Sequence, residues 1–395
     1  MRILDFTMFQ AGPMATLFAA DFGADVVKVE AIQRLDGWRG VGRGPSRAWD
    51  NSGLFNWVNR GKRGITLNLT DPRGAALARR LAAGADVVVE NYTPRVMDGF
   101  RLGYADLVAT NDDLIMLSMP GFGRTTTWRD YAAFAWTTEQ MSAICHLTGY
   151  EDGPPLFTGT SFGDPLAGLM GGLALLAAVR HRQLTGEGQH IDLSQIEAAT
   201  SFVGEVLVER QLTGHERARR GNDDPARAPH GVHQCGDGRW IAISCADDDE
   251  WRRLSAQVAL PVCADAPLAE RRARGAEIGA ALHGWAATAD AGVLAEQLQR
   301  AGVTAAVVHD GRSVFDDPQL RARGFFVAED RGDIGVTHQT AQPWRFARTD
   351  LPPYGTAPRL GEHNREVLGD ELGLGEAELA DLERDGVIGD TPLGG

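Results

Sequence analysis

The first 120 residues alternate between short apolar runs and helical stretches, and this alternation constrains the fold more than any other feature. The stretch after Asn68 carries clear helix signals, because Asp71-Pro72 supplies an N-cap and a first-turn proline and Gly84 ends the helix. An alternation of this kind predicts an α/β fold with a parallel, doubly wound sheet. The predicted strands are Ile3–Phe6, Val26–Val29, Ile65–Leu69, Val87–Val89 and Leu114–Ser118.

The pattern changes in the second half of the chain. A long apolar helix is predicted from Pro165 to His181, and a strand follows at His190–Leu193. We predict a large Rossmann-like domain, a linker, a smaller inserted α+β domain, and a tail of proline-rich turns with two short helices. The predicted boundaries are 1–200 plus 326–395 for the large domain, 201–219 for the linker and 220–325 for the small domain.

Composition narrows the possible partners and the location. A net charge of −14 argues against a nucleic-acid partner or an anionic membrane surface. The longest apolar run, Leu166–Val179, is too short to cross a bilayer. The four cysteines form no CxxC pair and no group with zinc-ligand spacing. We therefore expect a cytoplasmic protein with reduced thiols and no metal site.

One segment opposes the acidic character of the chain. Residues 32–63 contain seven basic and two acidic side chains, a net charge of +5. Such a segment would suit a ligand that carries phosphate groups. However, the sequence contains no GxGxxG, GxxxxGK[ST], GxSxG or HExxH motif. The usual dehydrogenase, P-loop, hydrolase and zinc-protease interpretations therefore lack their main support.

Eight motifs in order resemble the class III CoA-transferases, the family of formyl-CoA transferase, carnitine CoA-transferase and α-methylacyl-CoA racemase. Each motif alone is weak, but their order and spacing hold over nearly the whole chain. The motifs are Phe9–Pro13, Asp21–Glu30, Asn59–Asn68, Glu90–Pro94, Ser118–Gly123, Gly163-Asp164, Thr185–Asp192 and Asp317–Gly324.

The resemblance implies an activity and a set of site residues. It implies CoA transfer from an acyl-CoA donor to a carboxylic acid through an aspartyl-CoA thioester on Asp164, with Gln10 facing the reacting carbonyl. Coenzyme A would be a substrate, with no permanently bound cofactor, and two chains would form an interlocked homodimer. The residues implied along the CoA path are Arg39, Lys62, Asn91, Tyr92 and Arg101.

Local chemistry allows two interpretations of Asp164. Because Asp164-Pro165 opens the long apolar helix, the positive end of the helix dipole would keep the carboxylate ionised and ready to attack a thioester. The alternative is that Asp164 is only a helix N-cap, a common role for aspartate.

The motif region also departs from the family pattern. Phe134-Ala135 stands where the family often has Tyr-Asp and where the racemase branch has a catalytic histidine. Racemisation needs two proton-transferring groups, and Phe134 cannot titrate. The nearest histidine, His146, lies twelve residues away and outside the motif. Two alternatives to the transferase remain: an α-methylacyl-CoA racemase or epimerase, and a non-catalytic CoA-binding protein.

Overall fold

The computed structural model describes residues 1–44, 47–332 and 335–393. Six parallel strands form the main sheet in the order β3-β2-β1-β4-β5-β6, which is the order of a dinucleotide-binding Rossmann sheet. The strands of this sheet are β1 (Arg2–Asp5), β2 (Asp25–Glu30), β3 (Arg63–Thr66), β4 (Val87–Glu90), β5 (Ile115–Ser118) and β6 (Gln189–Asp192).

Helices follow most of these strands and cover the sheet. The helices up to residue 213 are α1 (Ala11–Asp21), α2 (Gly53–Asn59), α3 (Pro72–Ala83), α4 (Pro94–Gly99), α5 (Tyr104–Leu107), α6 (Ala135–Met141), α7 (Ile144–Leu147), α8 (Gly163–Thr185), α9 (Gln195–Ser201) and α10 (Gly204–Thr213). Two short 3-10 helices lie at Arg39–Val41 and Ala48–Asp50.

Alternate residues of the buried strands point to opposite faces of the sheet. Leu4 packs in a core with Leu77 of α3, whereas its neighbour Ile3 packs in a second core with Ala15 of α1 and Leu175 of α8. Both faces therefore need apolar side chains, which explains why these strands are continuous apolar runs.

The chain divides into two compact units. The first comprises Met1–Cys145, Phe157–Glu216 and Phe325–Gly395, and the second comprises His146–Leu156 and Arg217–Gly324. In the second unit, an antiparallel sheet of three strands packs its apolar residues around the buried Trp251. Its elements are β7 (His230–Gln234), β8 (Trp240–Ser244), α11 (Asp248–Ser255), α12 (Leu268–Ala273), α13 (Gly275–Ala286), α14 (Ala291–Arg300), β9 (Thr304–Val308) and α15 (Pro318–Ala322).

The last part of the chain returns to the first unit. It forms the antiparallel pair β10 (Phe326–Asp330) and β11 (Val336–Thr340), a π-helix at Arg365–Glu371, and α16 (Glu376–Arg384). The sequence had predicted only turns where β10 and β11 lie. Val367 and Leu379 complete the core on the α3 face of the main sheet, so the tail is part of that core.

The parallel six-stranded sheet confirms the predicted α/β class. Strand β3 ends at Thr66 and not at Leu69, because the chain leaves β2 there and the Asn68 N–H donates to the carbonyl of Val387. Helix α10 occupies residues that were predicted to be a linker. No helix in the described part of the chain combines the length and the apolar character needed to span a bilayer.

Candidate active site

Asp164 lies in the first turn of α8, and its side chain is largely buried. Phe162 occupies the N-cap position, and the Asp164 backbone N–H donates to the carbonyl of Ser161 at 3.1 Å. The Asp164 side chain does not cap the helix, so the alternative that it is only an N-cap is wrong. Its carboxylate makes no hydrogen bond or ion pair with any residue that the structure describes.

Two glycines let α8 approach its neighbours closely. A Cβ atom at Gly163 would lie 2.4 Å from Thr138 Oγ1, and one at Gly168 would lie 2.8 Å from the Cβ atom of Met14. Both distances are shorter than real packing contacts, so a larger residue would push α8 away from α6 or α1. This packing fixes the position of Asp164 on the face of α8 that meets these two helices.

The buried Glu139 of α6 fixes the start of α8 through hydrogen bonds. It is fully buried, and its Oε1 accepts a hydrogen bond from the Gly163 N–H at 3.1 Å. Its Oε2 accepts from the N–H and the hydroxyl group of Thr158 at 3.3 and 2.9 Å. Glu139 therefore ties α6, the segment before α8 and the residue that precedes Asp164 into one network.

The environment raises the pKa of Asp164 to about 7, first through burial and second through the negative charge of Glu139. We expected the helix dipole to keep this carboxyl group ionised, and that expectation is wrong. A helix end contributes roughly 0.3–1 kcal/mol, which desolvation outweighs here. A carboxyl group with such a pKa is partly ionised near neutral pH and more basic than an exposed aspartate, as suits a nucleophile.

Asp164 lines a cavity of about 290 Å³. Its walls include the loop after β1, the segment after β4 and the segment that precedes α6. Ligands of doubly wound proteins bind beside such carboxyl ends of parallel strands. The lining residues are Met8, Phe9, Ala11, Arg34, Asn91, Tyr92, Thr93, Arg95, Val96, Gly121, Tyr131, Ala132, Ala133, Phe134, Asp164 and Gln195.

A second cavity of about 250 Å³ adjoins the first, and four residues line both: Met8, Arg34, Tyr92 and Val96. Many of the other side chains that line it are apolar, including Phe6, Leu67 and Phe100. Two carboxylates also line it, Glu30 and Asp36, and they pair with Arg39 and Lys28. The second cavity is thus a largely apolar slot beside a chamber that contains one carboxyl group. In the described part of the chain, neither a histidine nor a second carboxyl group lines the chamber with Asp164.

Arg34 and Arg95 are the cations that line the Asp164 chamber. Both side chains are exposed, and neither makes a hydrogen bond or ion pair with a described residue. Neither arginine was predicted as a site residue, although Arg34 lies in the basic segment and Arg95 directly follows the Glu90–Pro94 motif. Their free guanidinium groups can bind anionic oxygens in the cavity.

Lys62 and Arg39, which were predicted to lie along the CoA path, have partners inside the protein. Lys62 Nζ donates to Asp5 Oδ2, the Pro13 carbonyl and Asn59 Oδ1 at 3.0, 2.9 and 2.9 Å. These three bonds use all three N–H groups of the ammonium.

Arg39 is 1% exposed, pairs with Glu30 and Asp50 at 2.8 Å each, and stacks on Phe55. The positions of Lys62 and Arg39 favour structural roles. Much of the +5 segment therefore neutralises buried carboxylates and does not form a phosphate patch.

Asn91 and Tyr92 lie in the cavity wall as the sequence motif suggested. Asn91 accepts from the Met8 N–H and donates to the Met8 carbonyl, each at 2.8 Å, and so fixes the loop after β1. Tyr92 lines both cavities, and burial raises the pKa of its phenol. Its backbone N–H donates to Glu90 Oε2 at 2.9 Å.

Gln10 and Arg101 do not line either cavity. Gln10 is 3% exposed at the N-cap position of α1, and its side chain makes no capping hydrogen bond. Arg101 is exposed and lies in the left-handed region at φ 53°. The structure therefore brings together three of the seven predicted site residues, namely Asn91, Tyr92 and Asp164, around one chamber.

Phe9 and Phe134 form an aromatic wall of the chamber. Their rings meet edge to face with centroids 5.6 Å apart. Phe9 has a φ of 61°, which a residue with a side chain rarely adopts, and its N–H donates to Asp36 Oδ1 at 3.1 Å. Nothing in the local sequence predicted this left-handed backbone conformation at Phe9. Phe134 places an apolar ring where the racemase branch has an acid–base group.

Comparisons with known proteins agree with this geometry. Residues 1–364 match CoA-transferase family III. The chain is 35% identical over 399 aligned residues to the succinyl-CoA–D-citramalate CoA-transferase of Chloroflexus aurantiacus, covering 98% of this chain and 97% of that protein. It is 33% identical to the succinyl-CoA:mesaconate CoA-transferase of Haloarcula hispanica, covering 95% and 96%.

A solved structure shows the same fold. The crystal structure of a CAIB/BAIF family protein from Brucella suis has a TM-score of 0.85 with 30% identity, over 94% of this chain and 98% of that one. The fold, the buried carboxyl group and these matches define an enzyme that transfers coenzyme A. The chain belongs to CoA-transferase family III.

Proposed function

We propose that this enzyme moves CoA from an acyl-CoA donor to a carboxylic acid through a covalent intermediate on Asp164. The observation that carries the proposal is the carboxyl group of Asp164, buried in a chamber with no cation bonded to it and with a pKa raised to about 7. A carboxylate that is basic and unpaired is available for attack on a thioester carbonyl.

The proposed reaction proceeds through two acyl exchanges. An Asp164 oxygen attacks the donor thioester carbon, the C–S bond breaks, and CoA leaves as the thiolate from a mixed anhydride. The thiolate then attacks the aspartyl carbonyl carbon, releasing the donor acid and leaving an aspartyl-CoA thioester. The acceptor carboxylate attacks the aspartyl carbonyl carbon of this thioester, which expels the CoA thiolate and forms a second mixed anhydride. The thiolate then attacks the acyl carbon of the acceptor, giving the new acyl-CoA and free Asp164. In each step a nucleophile replaces a leaving group on a carbonyl carbon, so no redox partner is needed.

The two adjoining cavities support a path for the CoA substrate. We infer that the apolar slot takes the nucleotide end, and that Arg34 and Arg95 bind phosphate or carboxylate oxygens beside the chamber. Asn91 would act indirectly, because its two bonds to Met8 hold the loop that forms one wall. Coenzyme A thus enters as a substrate and leaves as part of the product.

The relatives suggest the class of substrate. Their names give succinyl-CoA as donor, with D-citramalate or mesaconate as acceptor. Both acceptors are dicarboxylic acids, so we propose succinyl-CoA as donor and a dicarboxylic acid as acceptor for this enzyme. Two free arginines at one chamber suit an acid that carries a second carboxylate away from the reacting one.

We also propose that two chains form an interlocked homodimer. Several leucines of α8 and α10 are exposed in the single chain: Leu173 and Leu176 are 63% and 59% exposed, and Leu212 is 81% exposed. An exposed apolar face of this kind suits a partner subunit. The compact second unit supports the proposed small domain. Sedimentation should give twice the chain mass of 42.5 kDa, and interlocked chains should not separate on dilution without unfolding.

Trapping the intermediate tests the reaction. After incubation with succinyl-CoA, borohydride should reduce the aspartyl thioester to an alcohol, and mass spectrometry should place that change on Asp164. Product analysis with a panel of dicarboxylic acids should identify the acceptor as its CoA ester. The Asp164→Asn protein is the matched control and should give no adduct. An adduct on another residue, or turnover without any adduct, would overturn the assignment of Asp164 as nucleophile.

A further inference from the structure

A cavity of about 350 Å³ in the second unit takes no part in the proposed reaction. It lies among the segment that precedes β7, β7 itself, α12 and the start of α13. Its volume falls within the range of roughly 300–1,000 Å³ that is usual for small-molecule sites. Its charged and titratable lining is mostly basic and consists of Arg227, His230, His233, Arg271 and Arg272, with Asp223 as the single carboxylate among the described residues.

Arg271 forms the buried base of this basic lining. It is 1% exposed, its Nε donates to the Ala228 carbonyl at 2.9 Å, and its Nη1 pairs with Asp248 at 2.7 Å. Its Nη2 has no acceptor among the described residues. These contacts fix the plane of the guanidinium group and leave one nitrogen available for a ligand.

The other two arginines of the lining, Arg227 and Arg272, make few contacts with the rest of the protein. Arg227 has a single contact, a long hydrogen bond of 3.4 Å to the hydroxyl group of Ser244. Arg272 donates to the Asp224 carbonyl at 3.0 Å and lies 3.7 Å from the Asp223 carboxylate. An anion in the cavity would therefore compete with one exposed carboxylate for Arg272 and with no carboxylate for Arg227.

His233 adds a buried polar atom without a partner to the cavity lining. It is 8% exposed on β7, and its Nε2 has no hydrogen-bond partner. Burial, helped by the nearby His283, lowers the pKa of this imidazole and so favours its neutral form. A buried ring nitrogen without a partner costs free energy that a ligand in the same cavity would recover.

We propose that this cavity binds a small dianion. Arg227, Arg272 and Nη2 of Arg271 would contact its oxygens, and the Nε2–H group of His233 would donate one further hydrogen bond. Three guanidinium groups face two carboxylates there, Asp223 in the lining and Asp248 paired with Arg271, so the group keeps a net positive charge and free donors for an anion with two charged oxygens. The shared chemistry is a pair of ionised oxygens, which either a phosphate or a short dicarboxylate supplies.

Calorimetry on the full-length enzyme tests the proposal. Inorganic phosphate, succinate and acetate are titrated separately into the wild type, Arg227→Gln, Arg272→Gln and Arg312→Gln. Arg312 is an exposed arginine of the same unit that does not line the cavity, so its variant removes the same charge without touching the site. We expect one dianion, phosphate or succinate, to bind the wild type and Arg312→Gln equally.

The expected loss is at least tenfold in affinity for each of the two cavity variants, with acetate binding weakly throughout. Whichever dianion shows this loss identifies the ligand class. Succinate or phosphate binding that is equal in all four proteins belongs to the Asp164 chamber or another site and overturns the proposal. So does the absence of dianion binding to the wild type.

Discussion

Asp5 and Asp164 are both buried aspartates of the first unit, but their surroundings differ in charge. Asp5 is fully buried at the end of β1 and accepts hydrogen bonds from Thr7, Thr16 and Lys62. Burial alone would raise its pKa, but Lys62 and Lys28, with the two hydroxyl groups, hold the pKa well below the ordinary value. Asp5 is thus a permanently charged member of a structural ion network.

Asp164 has no such compensation. No cation offsets its burial, and the nearest charge that affects it is the carboxylate of Glu139, so its pKa rises to about 7. Burial alone therefore does not decide what an aspartate does in this fold. The neighbouring lysines keep Asp5 charged, whereas no cation compensates the burial of Asp164, which is therefore more basic.

The largest difference should appear in activity when each aspartate becomes asparagine. Asp164→Asn removes the proposed nucleophile and keeps the size of the side chain, so CoA transfer should fall by at least about 10³-fold. Circular dichroism should show an unchanged fold. Asp5→Asn leaves Asp164 in place, so the fraction of that protein that remains folded should transfer CoA at a rate near the wild-type rate. Near-normal transfer by Asp164→Asn would place the chemistry on another group.

The next difference concerns stability at neutral pH. Asp5→Asn leaves the buried Lys62 and Lys28 without one of their counter-charges, so the free energy of unfolding should fall by about 3–5 kcal/mol. Because the pKa of Asp5 is depressed on folding, this contribution is present above its unfolded pKa near 4 and is lost as pH falls. Urea unfolding at neutral pH measures it, and an unchanged midpoint would show that the network around Asp5 adds no stability.

The effect of Asp164→Asn on the free energy of unfolding should have the opposite sign. The folded protein raises this pKa from 3.8 to about 7, so the cost of Asp164 to folding grows as the pH rises above the unfolded pKa near 4 and is complete above the folded pKa. At about pH 8 the variant should be more stable than the wild type by about 2–4 kcal/mol, since each pKa unit corresponds to about 1.4 kcal/mol. Below about pH 4 the carboxyl group is neutral in both states and the difference should vanish. A gain that did not depend on pH would point to packing instead of charge.

The same contrast explains how far the sequence could predict the site. The strand–helix alternation predicted the sheet because alternate residues of each buried strand serve two apolar cores. Asn91 and Tyr92 were predicted from a motif that directly follows a strand, and Asp164 from the Gly163-Asp164 motif at the start of the long helix. The sign of the pKa shift was missed, because it depends first on burial in the folded chain. It depends second on Glu139, 25 positions away in sequence, whose helix approaches closely because residue 163 is glycine.

The net charge of the basic segment was a misleading guide to the site for a related reason. Arg34, Arg39 and Lys62 lie in one basic segment, but only Arg34 lines the chamber, whereas the other two neutralise buried carboxylates. Local composition does not report which cation has a buried partner, since those partners come from other parts of the chain. The tail hairpin β10–β11 was missed as well, because its glycines and the prolines that follow it suggested turns.

The smallest expected effect comes from a variant that changes the pKa of Asp164 and leaves the Asp164 side chain itself in place. The nucleophile must be ionised, so kcat/KM should rise with pH through a midpoint near 7 and then level off. Glu139→Gln removes the neighbouring negative charge, so the midpoint should fall by roughly one unit. The variant should also lose part of its maximal rate, because glutamine cannot accept all three hydrogen bonds from Gly163 and Thr158.

Thr158→Val is the matched control for that pH profile. It deletes the hydroxyl group that donates to Glu139 at 2.9 Å but leaves the charge of Glu139 in place. A purely structural role for Glu139 predicts that both variants lower the maximal rate and that neither moves the midpoint. An electrostatic role predicts a shifted midpoint in Glu139→Gln alone. In that case the charge that most distinguishes the surroundings of Asp164 from those of Asp5 would be the one that adjusts the nucleophile.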